Sequence, residues 1–251
     1  MRTANRVTQN RVTVSPVPAK GTTSAAIPQL QNGDHLTVKE FLRRYEAMPH
    51  LKKAELIEGV VYMSPAVSVD HGGPHGAFIT WLGIYWMTTP GTELLDNTTV
   101  ELDLGENCPQ PDGSLRILPE CGGQSRTGRN RYVQGAPELA GEIAASSVSY
   151  DLHEKLRAYQ RNRVKEYLVW CVEDQAIDWF VLRGDKYRPM VPRGGVFKSK
   201  VFPGLWLDEV AMLDGDLAKV RKVLELGIAS DQHRQFVARL GKRKNHGKRK
   251  A

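Results

Sequence analysis

The chain has 251 residues, 41% hydrophobic and 25% charged, which suits a globular protein of one large or two small domains with a full core. Its three cysteines, Cys108, Cys121 and Cys171, are odd in number, lack C-x-x-C spacing and sit in a chain large enough not to need staples, which makes a reducing cytoplasm the expected setting. The most apolar segment, Ala77 to Met87, falls well short of the ~20 residues that span a bilayer, and the N-terminus has no apolar core of a signal peptide.

The net charge of +7 is unevenly spread: six basic residues and no acid lie in 242–251, residues 1–35 carry +3, and the remaining body carries −2. The folded part is therefore not basic, and the tail is expected to act as an electrostatic tether to nucleic acid.

Residues 1–35, rich in Thr, Pro, Gln and Asn without hydrophobic periodicity, read as a disordered leader. Folding is expected to begin near Leu36. Thr37 can cap a helix VKEFLRRYEAM, with Glu40 as its reciprocal partner. ELIEGVVYMSP reads as two strands around the turn Glu58-Gly59. Pro74 fits the first turn of a helix running to about Met87, on which His71 and His75 extend the stripe of Phe78, Leu82 and Trp86.

Strand candidates follow at TELLDNTTVELDL, PDGSLRILP and ELAGEIAA, then a helix YDLHEKLRAYQRN and a strand EYLVWCV. AIDWFVLRG, KYRPMVP and SKVFPGLWL resemble an antiparallel meander. The segments LDGDLAKVRKVLELG and SDQHRQFVARL read as closing helices over 213–241, before a basic disordered tail at 242–251. A strand, helix, strand order flanked by hairpins predicts an α/β (α+β) domain with a mixed sheet over 36–212.

Two carboxylates and one lysine stand out. Asp112, in PQPD, and Glu142, in ELAGEIAA, lie on successive strand-like segments, and hard divalent ions held by such acids hydrolyse phosphodiesters. Lys155 interrupts the stripe of Leu152, Leu156 and Tyr159 at i, i+3, i+4, i+7 spacing, so its ammonium is expected to reach the acids. A shared ion would hold the two carboxyl groups on the order of 4 to 6 Å apart. Lys165, just before EYLVW, reads as a surface residue.

The order and spacing of ELIEGVVYMSP, DHGGPHG, PQPD, GAPELAGEIAASSVSYDLHEKLRAYQRNRVKEYLVW, DWFVLRG and VFPGLWL resemble the putative restriction endonuclease family of the PD-(D/E)XK superfamily, in its stand-alone bacterial form. The resemblance implies a restriction-endonuclease-like fold in which Pro111-Asp112 supplies the PD and Glu142 the following acid. Ala144 stands where the superfamily's lysine is usual, and Lys155 matches a lysine displaced to the next helix. Glu55 and His75 match other recurrent family positions, His75 as a catalytic candidate. A second departure is Gly113, expected to weaken its strand and loosen the ligand geometry.

The implied function is a metal-dependent endonuclease, with Asp112 and Glu142 as ligands of Mg²⁺ or Mn²⁺ and Lys155 positioning the attacking water. Nucleic acid is the expected partner, DNA ahead of RNA, with no membrane partner and a homodimer left open. The alternative is a catalytically inactive nucleic-acid-binding protein of the same fold.

Overall fold

A computed structural model describes residues 26–64, 67–145 and 147–248. The expected leader lies outside the described residues as far as position 25, but its last part is built into the fold. Leu30 is buried with Phe41, Met48 and Leu56, and Asn32-Gly33 turns the chain so that the Asp34 carbonyl accepts from Val61 N–H at 2.8 Å. One apolar side chain, Leu30, and a positive-φ glycine (φ 88° at Gly33) thus anchor the chain ahead of Leu36.

Helix α1 (Val38–Glu46) begins at Thr37, whose side chain accepts from Glu40 N–H. The reciprocal half of the cap is absent, because the Glu40 carboxylate is taken by Arg43 and Arg44. Strands β1 (Ala54–Ile57) and β2 (Val60–Met63) form the expected hairpin, with φ of 52° at Glu58 and 79° at Gly59. Two left-handed residues match the twist of the strands.

Helix α2 (Val69–Met87) starts five residues before Pro74, which is an interior residue rather than a first-turn one. β3 (Thr92–Asp96), β4 (Val100–Glu101), β5 (Gly113–Ile117), β6 (Arg126–Thr127), β7 (Val133–Gln134) and β8 (Leu139–Ala144) follow.

The expected helix after β8 is broken into α3 (Val148–Tyr150), a π-helical turn at Asp151–Lys155, and α4 (Leu156–Arg161). β9 (Glu166–Cys171), β10 (Ala176–Arg183) and β11 (Lys186–Pro189) form the antiparallel meander. The segment VFPGLWL does not extend it: β12 (Val196–Lys198) pairs with β13 (Trp206–Asp208) in a separate ribbon. Helices α5 (Glu209–Leu213), α6 (Leu217–Ile228) and α7 (Asp231–Lys248) complete the chain. The basic run expected to be disordered from 242 is helical as far as Lys248, since lysine and arginine are good helix formers continuing a seated helix.

The central sheet has the order β11-β10-β9-β8-β5-β3, with β8 and β9 parallel and the other neighbours antiparallel. Along β8 the two-residue period splits its side chains. Leu139 and Ile143 join the core under α2, with Phe78, Trp81, Leu82 and Trp179. Ala140 and Ala144 join the opposite core with Tyr159 and Tyr167.

Gly113 has a packing reason in this fold. It pairs with Gly141, and a Cβ on Gly113 or Gly141 would meet the Phe78 ring at 2.7 or 2.3 Å. The two bare backbones let α2 lie close to the sheet. The three cysteines are free and buried, and no helix among the described residues is long and apolar enough to cross a membrane.

Candidate active site

The antiparallel register that sets Gly113 against Gly141 brings Asp112 opposite Glu142 when continued by one residue. Period-two alternation sends Glu142 to the face of Ala140 and Ala144, toward α4. Asp112 turns along the end of β8, where its Oδ2 accepts from Ile143 N–H at 2.8 Å. Both carboxyls line one cavity of about 450 Å³, together with Lys53, Glu55, His71 and Lys155.

Lys155 reaches this cavity from the π-helical turn. A π turn widens the helix locally, and here it buries both Asp151 and Lys155. The Lys155 Nζ lies 3.0 Å from Glu142 Oε1, 3.0 Å from Glu55 Oε2 and 3.4 Å from Asp151 Oδ1. The stripe thus brings the ammonium to Glu142 but not into an ion pair with Asp112, which Lys53 takes instead, and Leu152 and Leu156 are only half-buried beside it.

Glu55 does two things at once. One oxygen pairs with Lys155, and the other accepts from Gln110 N–H at 2.7 Å. Cys108 is meanwhile joined to Leu56 by two backbone hydrogen bonds. The β1–β2 hairpin therefore fixes the segment that delivers Asp112.

The electrostatics follow from burial and close charges. Burial pushes the Glu142 carboxyl well above its ordinary value; Lys155 opposes the shift, and Asp112, Asp151 and Glu55 add to it. Asp151 is likewise raised by burial, against the pull of Lys155 and the Ser147 hydroxyl. Burial also works against charge on Lys155, but Glu142, Glu55 and Asp151 outweigh it and hold the ammonium protonated. For Asp112 burial is outweighed by Lys53, Lys155 and the Ile143 N–H, so its carboxyl sits below the usual range. Lys53 Nζ contacts Asp112 Oδ1 at 2.7 Å.

The histidines have separate roles. His71 Nδ1 lies 3.0 Å from the Ile143 carbonyl, which only accepts, so Nδ1 carries the proton and Nε2 faces Asp112 Oδ1 at 3.8 Å. His75 Nε2 is 3.0 Å from the Asp112 carbonyl and 3.1 Å from Asp96 Oδ1, two acceptors that require its proton. His75 therefore braces the backbone of Asp112, and His71 is the ring nearer the carboxylates.

The residues that sequence reasoning missed are Lys53, Asp151 and Tyr159. By its spacing Tyr159 fits the apolar stripe alone, yet its hydroxyl donates to Glu142 Oε1 at 2.9 Å. The i, i+4 spacing of Asp151 and Lys155 was the available signal for Asp151; Lys53 had none. Lys165 lies away from the cavity and pairs with Glu138.

The donor set suits a hard divalent ion. If ionised, Glu55, Asp112, Glu142 and Asp151 carry two more negative charges than Lys53 and Lys155 neutralise; Asp151 Oδ1 accepts no hydrogen bond beyond its 3.4 Å ion pair with Lys155, and the Tyr150 hydroxyl is buried without a hydrogen-bond partner. Among the described residues no three His, Cys, Asp or Glu side chains are grouped to hold a metal by themselves. Magnesium needs only one or two carboxylates, completing its octahedron with water and substrate phosphate.

A mixed sheet with one acid just before β5, another on the neighbouring β8, and a lysine entering from the following helical segment defines a restriction-endonuclease-like fold. A family model described as Uma2, putative restriction endonuclease, matches residues 38–211; the chain belongs to this family. A crystal structure of a putative nuclease belonging to DUF820 from Anabaena variabilis is similar in fold, with a TM-score of 0.54 and 14% identity over 71% of this chain and 99% of that one. No match is found among curated proteins.

Proposed function

We propose that this protein is a cytoplasmic, Mg²⁺- or Mn²⁺-dependent endonuclease that hydrolyses phosphodiester bonds in DNA. The observation carrying this reading is the convergence of two buried carboxylates, Asp112 and Glu142, and a buried charged lysine, Lys155, on one open cavity. Family membership supports nuclease chemistry.

In this reading Asp112 and Glu142 would hold the ion, whose chemistry when bound would be to neutralise charge developing on the phosphate and to make a water nucleophilic. Lys155, kept protonated by its carboxylate neighbours, orients the attacking water and stabilises the pentavalent transition state. Tyr159 fixes the rotamer of Glu142 through its 2.9 Å hydrogen bond. Lys53, partly exposed beside Asp112, meets a substrate phosphate. His75 acts as a positioning residue through the Asp112 carbonyl.

The test is plasmid nicking with Mg²⁺ or Mn²⁺, run beside Asp112→Asn. Metal-dependent nicking by the native protein alone is expected. Equal activity in both proteins would remove the site, and no nicking by either would favour the inactive nucleic-acid binder.

A further inference from the structure

Residues 38–211, which match the family, contain 20 Lys and Arg against 23 Asp and Glu, a net charge of −3. A polyanion is repelled by such a domain unless positive charge is supplied elsewhere. Helix α7, outside the matched region, supplies it: residues 231–248 hold six Lys and Arg against one acid, a net +5.

This helix is seated rather than trailing. His233, Phe236 and Leu240 are buried along one side at i, i+3, i+7 spacing. His233 Nε2 meets the Thr89 hydroxyl at 3.0 Å. Two positive-φ glycines accept it closely: a Cβ on Gly91 would stand 3.2 Å from the Leu240 side chain, and one on Gly122 would stand 2.5 Å from the Arg243 guanidinium.

Arg239, Arg243 and Lys244 are exposed. Arg234 is taken by Asp231 and the Ala229 carbonyl, whereas Arg239 lies over the Phe236 ring. No acid among the described residues pairs with Arg239 or Arg243.

We infer that the exposed face of α7 is a second nucleic-acid contact, binding duplex phosphates away from the active cavity; this rests on the nucleic-acid reading of that cavity. His233 docks on Thr89, beyond the C-terminal end of α2 and fourteen residues along the chain from His75, so α7 is anchored roughly 20 Å from the cavity at 1.5 Å per residue. That separation equals about six base pairs of duplex at 3.4 Å each. A bilayer is the poorer occupant, because Phe236 and Leu240, which would have to insert, face the core.

The test uses the full chain carrying Arg239→Gln, Arg243→Gln and Lys244→Gln, with a companion carrying Arg239→Lys and Arg243→Lys. Affinity for a fluorescent duplex is measured in an Asp112→Asn background across about 50 to 200 mM salt. Losing three phosphate contacts should flatten the log–log salt slope by about 2.7, at roughly 0.9 per contact. The lysine companion should keep the native slope, which separates lost charge from a disturbed helix.

Single-turnover cleavage at saturating protein should be unchanged by the three glutamines when Asp112 is native. A native slope in the glutamine variant would overturn the inference. So would a preference of α7 for vesicles of anionic lipid over duplex. Either result leaves the cavity's own test by Asp112→Asn standing, so the two readings fail separately.

Discussion

Lys155 makes three ion pairs while its side chain is almost wholly buried at the cavity wall. Removing one member of a buried pair typically costs ~3–5 kcal/mol, because the other charge is left uncompensated. Lys155→Met should therefore lose about that much unfolding free energy in urea at pH 7. The loss should shrink on acidification, as Glu142, already raised by burial, takes up a proton and no longer needs a cation. A loss that stays constant with pH would mean that packing of the lysine stem dominates. Asp112, Glu142 and Lys155 were legible from residue type and spacing. Lys53 was not, since its hairpin meets Asp112 only through tertiary pairing, and Asp151 and Tyr159 were obscured because they fit helical and core roles equally well.

The elements that carry these residues are held in place by small features. Gly113 and Gly141 face each other beneath Phe78, and this close approach sets how α2 presents His71 and His75 to Asp112. Gly141→Ala would put a methyl 2.3 Å from the Phe78 ring. Overpacking of this kind costs about 1–3 kcal/mol or more. Combining it with Phe78→Leu should recover part of that loss in thermal or urea unfolding; strictly additive effects would show that the clash is relieved elsewhere. Most elements were visible as periodic segments between Pro, Gly and Asn. The start of α2 was not, because Pro74 suggests a first turn while Val69 to Gly73 lack an apolar stripe. The π turn was also hidden, since its residues are compatible with a plain α-helix and only the tertiary demand to bury Asp151 and Lys155 distinguishes it.

At the scale of the whole molecule, a buried acid far from the candidate site gives folding a readable pH dependence. Glu166, on β9, accepts from the Ser199 hydroxyl and from Lys200 and Val201 N–H groups, tying the central sheet to the loop between β12 and β13. Burial outweighs these bonds and lifts its carboxyl from 4.5 to about 6. Between those values the native state retains a proton that the unfolded chain has released. Its contribution is therefore full below pH 4.5 and falls by about 2 kcal/mol as pH rises to 6. Urea unfolding across that window should show this fall in the native protein but not in Glu166→Gln. A variant with the native pH profile would place the titration on another group.

The order of the sheet also governs how copies of the chain meet. Among the described residues β11 stands at one edge, paired only with β10, and presents Lys186, Arg188 and Pro189. An open edge invites another strand, and natural sheets blunt it with charge and proline. Two β11 edges brought together would oppose like charges, and Pro189 offers no N–H to a ladder. This edge is thereby guarded against runaway strand addition, so crowded copies are kept from growing into a continuous sheet there.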